Sequence, residues 1–204
     1  MINFERIQHT AERLFRQFGI RSVSMSDIAT DLGVSKKTLY LHISNKNDLV
    51  CKIMEAHIQK QVDFCKAVKA KAKDAIDEML LLGQFIQVQL KGLNPTLLFD
   101  LQKYHHEVWQ LLDNFHNQDV RCMMEENLQR GISEGIYRQE LQVEIISTIY
   151  VKIINIMTQE FPTAQFEGSF AESQHEFMNY HLHGILSLEG HKQLSKYLNQ
   201  TTNQ

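Results

Sequence analysis

Residues 24–49 read SMSDIATDLGVSKKTLYLHISNKNDL, and this stretch decides the fold. Ser24 stands three residues before Asp27, the spacing of a capping box, in which each side chain accepts a hydrogen bond from the other residue's backbone N–H. The box predicts a short helix over about residues 25–32. Gly33 can take the positive φ that turns the chain without strain, so we expect the helix to end there.

Further helix-capping residues follow along the same stretch. Ser35 can cap a second short helix over residues 36–42, and Asn45 with Asp48 has the cap spacing ahead of a long helix through the 50s and 60s. Ala29 offers a small side chain where the first helix must approach the second closely. Two short helices joined by a tight turn are the layout of a DNA-binding helix-turn-helix, whose second helix enters the major groove.

Polar and basic side chains of this stretch suit contact with a duplex. Lys36 and Lys37 lie at the start of the second helix, and lysine is a frequent partner of guanine O6 and N7. Lys46 stands at the positive end of the long helix, which predicts a phosphate clamp. The predicted DNA-binding residues are Ser24, Ser26, Lys36, Lys37, Thr38, Tyr40, His42 and Lys46.

Plainer interpretations of these residues stay open. A pair of short helices can be ordinary packing, since helical hairpins are common. Lys36 and Lys37 would also be normal as solvated surface charge. Tyr40 could be a half-buried ring between helices, and His42 could have a surface or packing role.

The run from Phe15 through Leu49 resembles the DNA-binding head of TetR-family (tetracycline-repressor-like) regulators. The features that carry the resemblance are, in order, Phe18-Gly19, Ser24, Ile28-Ala29, Leu32-Gly33-Val34-Ser35, Thr38-Leu39-Tyr40, His42 and Lys46 through Leu49. The resemblance implies that the side chains facing DNA are Lys36, Lys37, Thr38 and Tyr40, with Ser24, His42 and Lys46 at phosphates. Two residues depart from the family pattern: Lys37 stands where many relatives have Gly, and Ile43 stands where Phe is usual.

Composition favours long helices around a hydrophobic core. The 204 residues include 2 Pro and 9 Gly, and hydrophobic residues make up 43%. We predict an all-α fold of about nine or ten helices. A three-helix helix-turn-helix head is expected over residues 1–50, and a helical bundle for ligand binding and dimerisation over residues 51–204. The predicted helices of the bundle beyond the long one are 74–91, 95–115, 117–134, 141–160, 171–188 and 190–198, with the longest loop at 161–170.

Cysteine usage and charge point to a location inside the cell and to a polyanionic partner. Cys51, Cys65 and Cys122 form no C-x-x-C pair and are interpreted as reduced, buried thiols. The N-terminus carries charge where a signal peptide needs its apolar core, and the apolar runs are too short to span a bilayer, so a cytoplasmic protein is expected. Residues 1–52 carry 8 Lys/Arg against 5 Asp/Glu, although the whole chain has a net charge of −3. A basic head on an acidic body suggests that the head meets DNA.

Aromatic and methionine side chains in the body could line a cavity for a small apolar or amphipathic effector. The predicted pocket residues are Phe85, Phe99, Tyr104, Trp109, Met123 and Tyr150. Side chains of this kind more often form an ordinary core, and that alternative stays open.

Two late helices carry apolar stripes that predict a dimer face. The predicted interface residues are Tyr150, Ile153, Ile154 and Met157 on one helix and Phe177, Met178, His181, Leu182 and Ile185 on the other. Two such helices from each subunit would form a four-helix interface, as the resemblance also implies. A symmetric dimer would place two recognition helices about 34–36 Å apart on the duplex. The alternative is that one stripe packs only within its own subunit.

No enzyme motif occurs: there is no nucleophile elbow, phosphate-binding glycine loop or HExxH, so enzyme activity is not expected. The histidines lack the helical spacing of metal ligands, and neither a metal site nor a cofactor is expected. The expected function is a repressor that a small ligand releases from a palindromic operator. The alternatives are a DNA-binding protein without an effector, whether constitutive or metal-responsive, and a helical interaction module that never meets DNA.

Overall fold

The computed structural model describes residues 3–160 and 168–201, and helices dominate this part of the chain. It contains eleven α-helices and one π-helical segment, and the β-bridge between Tyr137 and Leu186 lies outside any strand. The α-helices are α1 (Phe4–Phe18), α2 (Met25–Leu32), α3 (Lys36–Leu39), α4 (Lys46–Lys71), α5 (Ala75–Leu90), α6 (Pro95–Tyr104), α7 (His106–Phe115), α8 (Arg121–Ser133), α9 (Val143–Glu160), α10 (Phe170–Ile185) and α11 (Leu188–Thr201). The prediction of an all-α fold with a helix-turn-helix head is confirmed.

The described residues form two compact units. The first holds residues 3–61, 92–115 and 158–160, and the second holds residues 62–91, 116–157 and 168–201. The first unit therefore contains the helix-turn-helix together with α6 and α7. The functional division into residues 1–50 and 51–204 stays a prediction. Most of the predicted loop at 161–170 lies outside the described residues.

Three predicted helices differ from the observed ones. The predicted helix 95–115 is broken at His105, whose φ of −129° and ψ of 60° are not helical, so it forms α6 and α7. A contact distant in sequence holds the break, because His105 Nδ1 lies 2.8 Å from Asn47 Oδ1. The predicted helix 36–42 ends as an α-helix at Leu39, followed by turns. The helix predicted at 117–134 begins with the π-helical segment His116–Val120.

The first unit has its core where the helix-turn-helix packs on α1. Ile7 and Ala11 on α1 are fully buried, as are Ile28 on α2 and Leu39 on α3. On α1, Ile7, Ala11 and Leu14 recur at the four- and three-residue spacing of one helix face, which is why a short sequence can build the unit. Leu49 joins them as a fully buried side chain at the start of α4.

The second unit depends on a tight fit between α8 and the segment that follows it. The ring of Tyr137 is fully buried and lies against Gly131, where an added Cβ would stand 2.1 Å from the ring. The Tyr137 hydroxyl lies 3.0 Å from Asn127 Oδ1 and 3.1 Å from the Ala75 carbonyl oxygen. Only glycine leaves room for the ring at position 131, so this residue fixes how the end of α8 packs.

Candidate nucleic-acid interface

The first helix of the motif is held at both ends as its sequence predicts. The Asp27 backbone N–H donates to Ser24 Oγ at 3.2 Å, and the Ser24 backbone N–H donates to Asp27 Oδ2 at 2.7 Å, so the capping box is complete. This backbone hydrogen bond lowers the pKa of Asp27 below its usual value. Gly33 has a φ of 69° and a ψ of 32°, the left-handed conformation expected of it.

The second helix presents its basic end to solvent. Ser35 Oγ accepts a hydrogen bond from the Thr38 backbone N–H at 3.0 Å, which caps α3. Lys36 and Lys37 are exposed, and the Lys36 ammonium lies 6.0 Å from the centroid of the Tyr40 ring. The outward face of α3 therefore carries two free cations with an aromatic ring beside them.

The turn after α3 adds further exposed groups. Tyr40 is 43% exposed, Leu41 is 76% exposed and His42 is also exposed, whereas Leu39 between them and α2 is fully buried. Tyr40 is thus more exposed than the alternative of a half-buried ring between helices predicts. Leu41 was not among the predicted residues. A thymine methyl is an apolar partner that such a side chain can meet in a major groove.

The remaining hydroxyl groups of the motif occupy its flanks. Ser24 and Ser26 are exposed at the start of α2. Thr38 is half-buried, and its hydroxyl oxygen lies 2.8 Å from Ser35 Oγ. Ser24 already accepts the capping hydrogen bond, but its hydroxyl proton is still available to a phosphate oxygen.

Lys46 differs from the other lysines because the first unit already surrounds it in part. Its ammonium donates to the Arg21 carbonyl oxygen at 3.5 Å and lies 6.0 Å from the centroid of the Phe15 ring. Burial lowers the pKa of Lys46, while the negative charges of Asp100 and Asp27 oppose that effect. The predicted side-chain cap at the start of α4 is present, since the Asp48 backbone N–H donates to Asn45 Oδ1 at 2.9 Å. A phosphate contact by Lys46 stays a prediction that requires its side chain to turn outward.

Sequence reasoning missed a set of polar contacts between the loop after α1 and α6. The carboxylate of Asp100 is almost fully buried and accepts a hydrogen bond from the Arg21 backbone N–H at 2.7 Å. The Arg21 guanidinium donates to the Tyr104 hydroxyl at 2.9 Å. At Gly19, where φ is 80°, an added Cβ would stand 3.1 Å from Asp100 Oδ2. These residues lie about eighty positions apart, so no local pattern could have paired them.

The sequence model of the family described as bacterial regulatory proteins, tetR family, matches residues 7–52. This match covers α1, the helix-turn-helix and the start of α4. This part of the chain therefore matches the tetR family.

A relative matches more than half of the chain, and solved structures share its fold. The HTH-type transcriptional regulator YvaF of Bacillus subtilis is 35% identical over 120 residues, which are 56% of this chain and 60% of that protein. The chain thus spans less than two thirds of the relative it matches. A TetR-family transcriptional regulator from Marinobacter aquaeolei has the same fold, with a TM-score of 0.74 and 17% identity over 98% of both chains. FadR from Bacillus subtilis, solved in complex with stearoyl-CoA, gives a TM-score of 0.65 and 16% identity over 90% of this chain and 100% of FadR.

The predicted pocket residues divide between the two units. Phe99 and Tyr104 lie in the first unit with their ring centroids 6.5 Å apart, and Tyr104 is 44% exposed. Phe85 lies in the second unit and stacks on Phe64 at 3.8 Å. Tyr150, also in the second unit, is buried. Trp109 and Met123 are half-buried. A pocket lined by these six residues stays a prediction, and Tyr104 has a partner in Arg21 that the prediction did not include.

The predicted dimer face needs correction at four positions. Tyr150, Ile154, Leu182 and Ile185 belong to the hydrophobic core of the second unit, and none is more than 8% exposed. A side chain that its own chain encloses cannot meet a partner, so these four are core residues. The other five residues of that prediction, which stay predictions, are half-buried: Ile153, Met157, Phe177, Met178 and His181.

Several further features concern metals, thiols and membranes. Across residues 3–160 and 168–201, no group of three or more His, Cys, Asp and Glu side chains is placed to hold a metal ion. Cys51 and Cys65 are half-buried free thiols, but Cys122 is exposed, so the expectation of a buried thiol is wrong at that position. None of the described helices is long and apolar enough to cross a membrane.

Proposed function

We propose that this TetR-family protein is a homodimeric transcriptional repressor that binds operator DNA and is released by a small effector. The observation that carries the proposal is the outward face of α3 and the turn after it, on which Lys36, Lys37 and Tyr40 are exposed while Leu39 is buried behind them. Lysines at the start of a recognition helix can bind guanine edges or phosphates, and a tyrosine beside them can bind the backbone. Ser24, Ser26, Thr38, His42 and Lys46 would complete the contacts.

A second copy of the chain supplies the specificity that one head lacks. A single recognition helix contacts only a few base pairs, whereas a symmetric dimer reads two half-sites. The exposed face of α9 offers a surface for that dimer, because Ile145 is 51% exposed, Ile149 is 50% exposed and Ile156 is 57% exposed. Their spacing of four and seven residues places them on one side of the helix. On α10, Tyr180 is 79% exposed.

The proposal also includes the binding of a small effector. FadR was solved with stearoyl-CoA, which shows that a protein of this fold can hold a small molecule. In this chain we assign effector binding and dimerisation to residues 51–204 and DNA binding to residues 1–50. The protein would act without enzymatic chemistry in the cytoplasm. For release, the effector must bind the DNA-free and DNA-bound arrangements unequally.

Selection of genomic DNA fragments by the purified full chain tests this function. The proposal predicts an enriched inverted repeat whose half-sites are centred about 10 base pairs apart, or a multiple of that spacing. The matched control is a protein with Lys36→Ala and Lys37→Ala together, which should fail to enrich the repeat, while Lys91→Ala, at an exposed lysine of the second unit, should enrich it normally. Recovery of no sequence preference by the wild-type protein would contradict the proposal.

A further inference from the structure

One polar atom in the interior of the second unit lacks a hydrogen-bond partner. The Nε2 atom of His181, on α10, is shielded from solvent and is the atom for which the described residues supply no donor or acceptor. A buried polar atom without a partner lowers the stability of the fold, so each such atom calls for a physical explanation.

An aromatic side chain in contact with His181 also carries a poorly satisfied polar group. The ring of Tyr150 lies 4.7 Å from the imidazole, centroid to centroid, and is enclosed by the core. Its hydroxyl donates to the thioether sulfur of Met178 at 3.5 Å. A thioether is a weak acceptor, so the hydroxyl retains most of its capacity for a stronger partner. Each of these two neighbouring rings therefore carries a polar group that lacks a strong hydrogen bond.

Among the described residues, the groups that contact these two side chains or act on them are neutral: aromatic rings, a thioether and a thiol. Phe177 lies on one side, with its ring centroid 5.2 Å from that of Tyr150 and 6.2 Å from that of His181. Burial lowers the pKa of His181 to about 4, so the imidazole is neutral at physiological pH. Burial also raises the pKa of the Cys65 thiol to about 11, which leaves that neighbour of Tyr150 neutral. A neutral imidazole offers one donor and one acceptor.

We infer that His181 Nε2 and the Tyr150 hydroxyl form the polar end of an effector site in the second unit, which takes a neutral, largely apolar molecule with one hydroxyl or carbonyl oxygen. This inference rests on the effector in the proposed function and adds its chemical class. A carboxylate or an ammonium head would be taken out of water without an opposite charge to meet it, and that is far more costly than burying a neutral oxygen.

Three residues around the site are partly exposed in the single chain, and they are also among the predicted dimer contacts. His181, Phe177 and Met178 are half-buried, so they lie where the core meets the surface. Methionine is unbranched and adapts easily to a new neighbour. If the Met178 side chain turns aside, the Tyr150 hydroxyl loses its weak bond and becomes available to the ligand oxygen together with His181 Nε2.

Calorimetric titration of the full wild-type chain with 1-octanol, octanoate and octylammonium tests the inference. We expect 1-octanol to bind at least tenfold more tightly than either ion. His181→Phe keeps the ring but removes the polar atom, so it should weaken 1-octanol binding about fivefold to tenfold. Because the unpaired atom is gone, the melting temperature of this variant should rise by about 2–4 °C. His183→Phe, at an exposed position on the same helix, is the control and should leave binding unchanged.

Two results would overturn the inference. Equal affinity for octanoate and 1-octanol would remove the argument for a neutral ligand. A His181→Phe variant that melts below the wild type and binds 1-octanol as tightly would show that the imidazole only supports the fold. Tyr150→Phe gives a second measurement, with an expected loss of about threefold in 1-octanol affinity. Octanol binding that leaves operator affinity unchanged would support this site and contradict the release step of the proposed function.

Discussion

The exposed face of α3 is polar and follows a side-chain cap within the helix, whereas the exposed face of α9 is apolar and belongs to a helix packed in the core of the second unit. On α3, the lysines and the tyrosine predicted to point outward do so. On α9, Tyr150 and Ile154 were predicted to face a partner, and both are buried in their own chain. The caps of α3 lie within four residues of the side chains they orient. The inward side of α9 is chosen by helices that are distant in sequence, so an apolar stripe alone does not reveal it.

The largest expected effect is on the packing of the second unit, at Gly131 on α8. Gly131→Ala would place a Cβ 2.1 Å from the Tyr137 ring, which is enclosed and cannot move freely. We expect a loss of about 3 kcal/mol in the free energy of unfolding, measured by urea denaturation, because overpacking of a tight contact forces the backbone to shift. Gly184→Ala is the control, since an added Cβ there meets open space. Equal stability of the two variants would mean that the fit of Tyr137 does not organise the second unit.

The next effect concerns which side of α9 is free. Ile149→Glu places a charge in the exposed stripe, so we expect the dimer to dissociate at least a hundredfold more readily because the charge would be buried without a partner. Sedimentation velocity would show the mass fall from twice 23.8 kDa to 23.8 kDa while the helical content is unchanged. Ile154→Ala, on the buried side, should instead lower the free energy of unfolding by about 2–3 kcal/mol. A wild-type chain that sediments as a monomer would contradict the proposed dimer.

A smaller effect tests whether local caps hold the head. Ser24→Ala removes the oxygen that accepts from the Asp27 backbone N–H. The expected loss is about 1 kcal/mol in the free energy of unfolding. Ser26→Ala, at an exposed position in the first turn of the same helix, should change it by less than about 0.5 kcal/mol. If both substitutions cost the same, the capping box has no special part in the stability of the helix.

The smallest effect is a dependence on acid. The pKa of Asp27 is lowered in the folded chain by its hydrogen bonds with Ser24, so its contribution to stability is present above the usual carboxyl pKa of 3.8 and is lost as the pH falls through the lower folded value. Asp27→Asn keeps an acceptor but cannot titrate. Its melting temperature should therefore fall less steeply than that of the wild type between pH 5 and pH 2. Parallel melting curves for the two proteins would show that Asp27 is not linked to folding.

Much of the head could be predicted because its determinants are local. Ser24, Gly33 and Ser35 set the ends of short helices by hydrogen bonds within four residues and by one positive φ. The match to the tetR family over residues 7–52 coincides with this locally determined part. The amino-acid types at the caps were therefore enough to place the motif and its outward side chains.

The rest could not be read from local patterns, for reasons that the contacts make clear. His105 breaks a helix because it meets Asn47, and the buried Asp100 carboxylate has its hydrogen bond to the backbone of Arg21. Lys46 carries a charge that predicts exposure, yet it lies against Phe15 and the Arg21 carbonyl. Each of these outcomes is decided by a residue at least 25 positions away in the sequence.

The central claim is that the exposed face of α3 binds a DNA duplex. Fluorescence anisotropy with a labelled duplex from the genomic selection tests this claim most directly. Wild-type protein should bind with an affinity that falls steeply with salt. Lys36→Ala or Lys37→Ala should relax the preference at one or two base positions, by about 1–3 kcal/mol at each. Tyr40→Ala should weaken binding to all sequences alike. Unchanged affinity and sequence preference in all three variants would contradict the account.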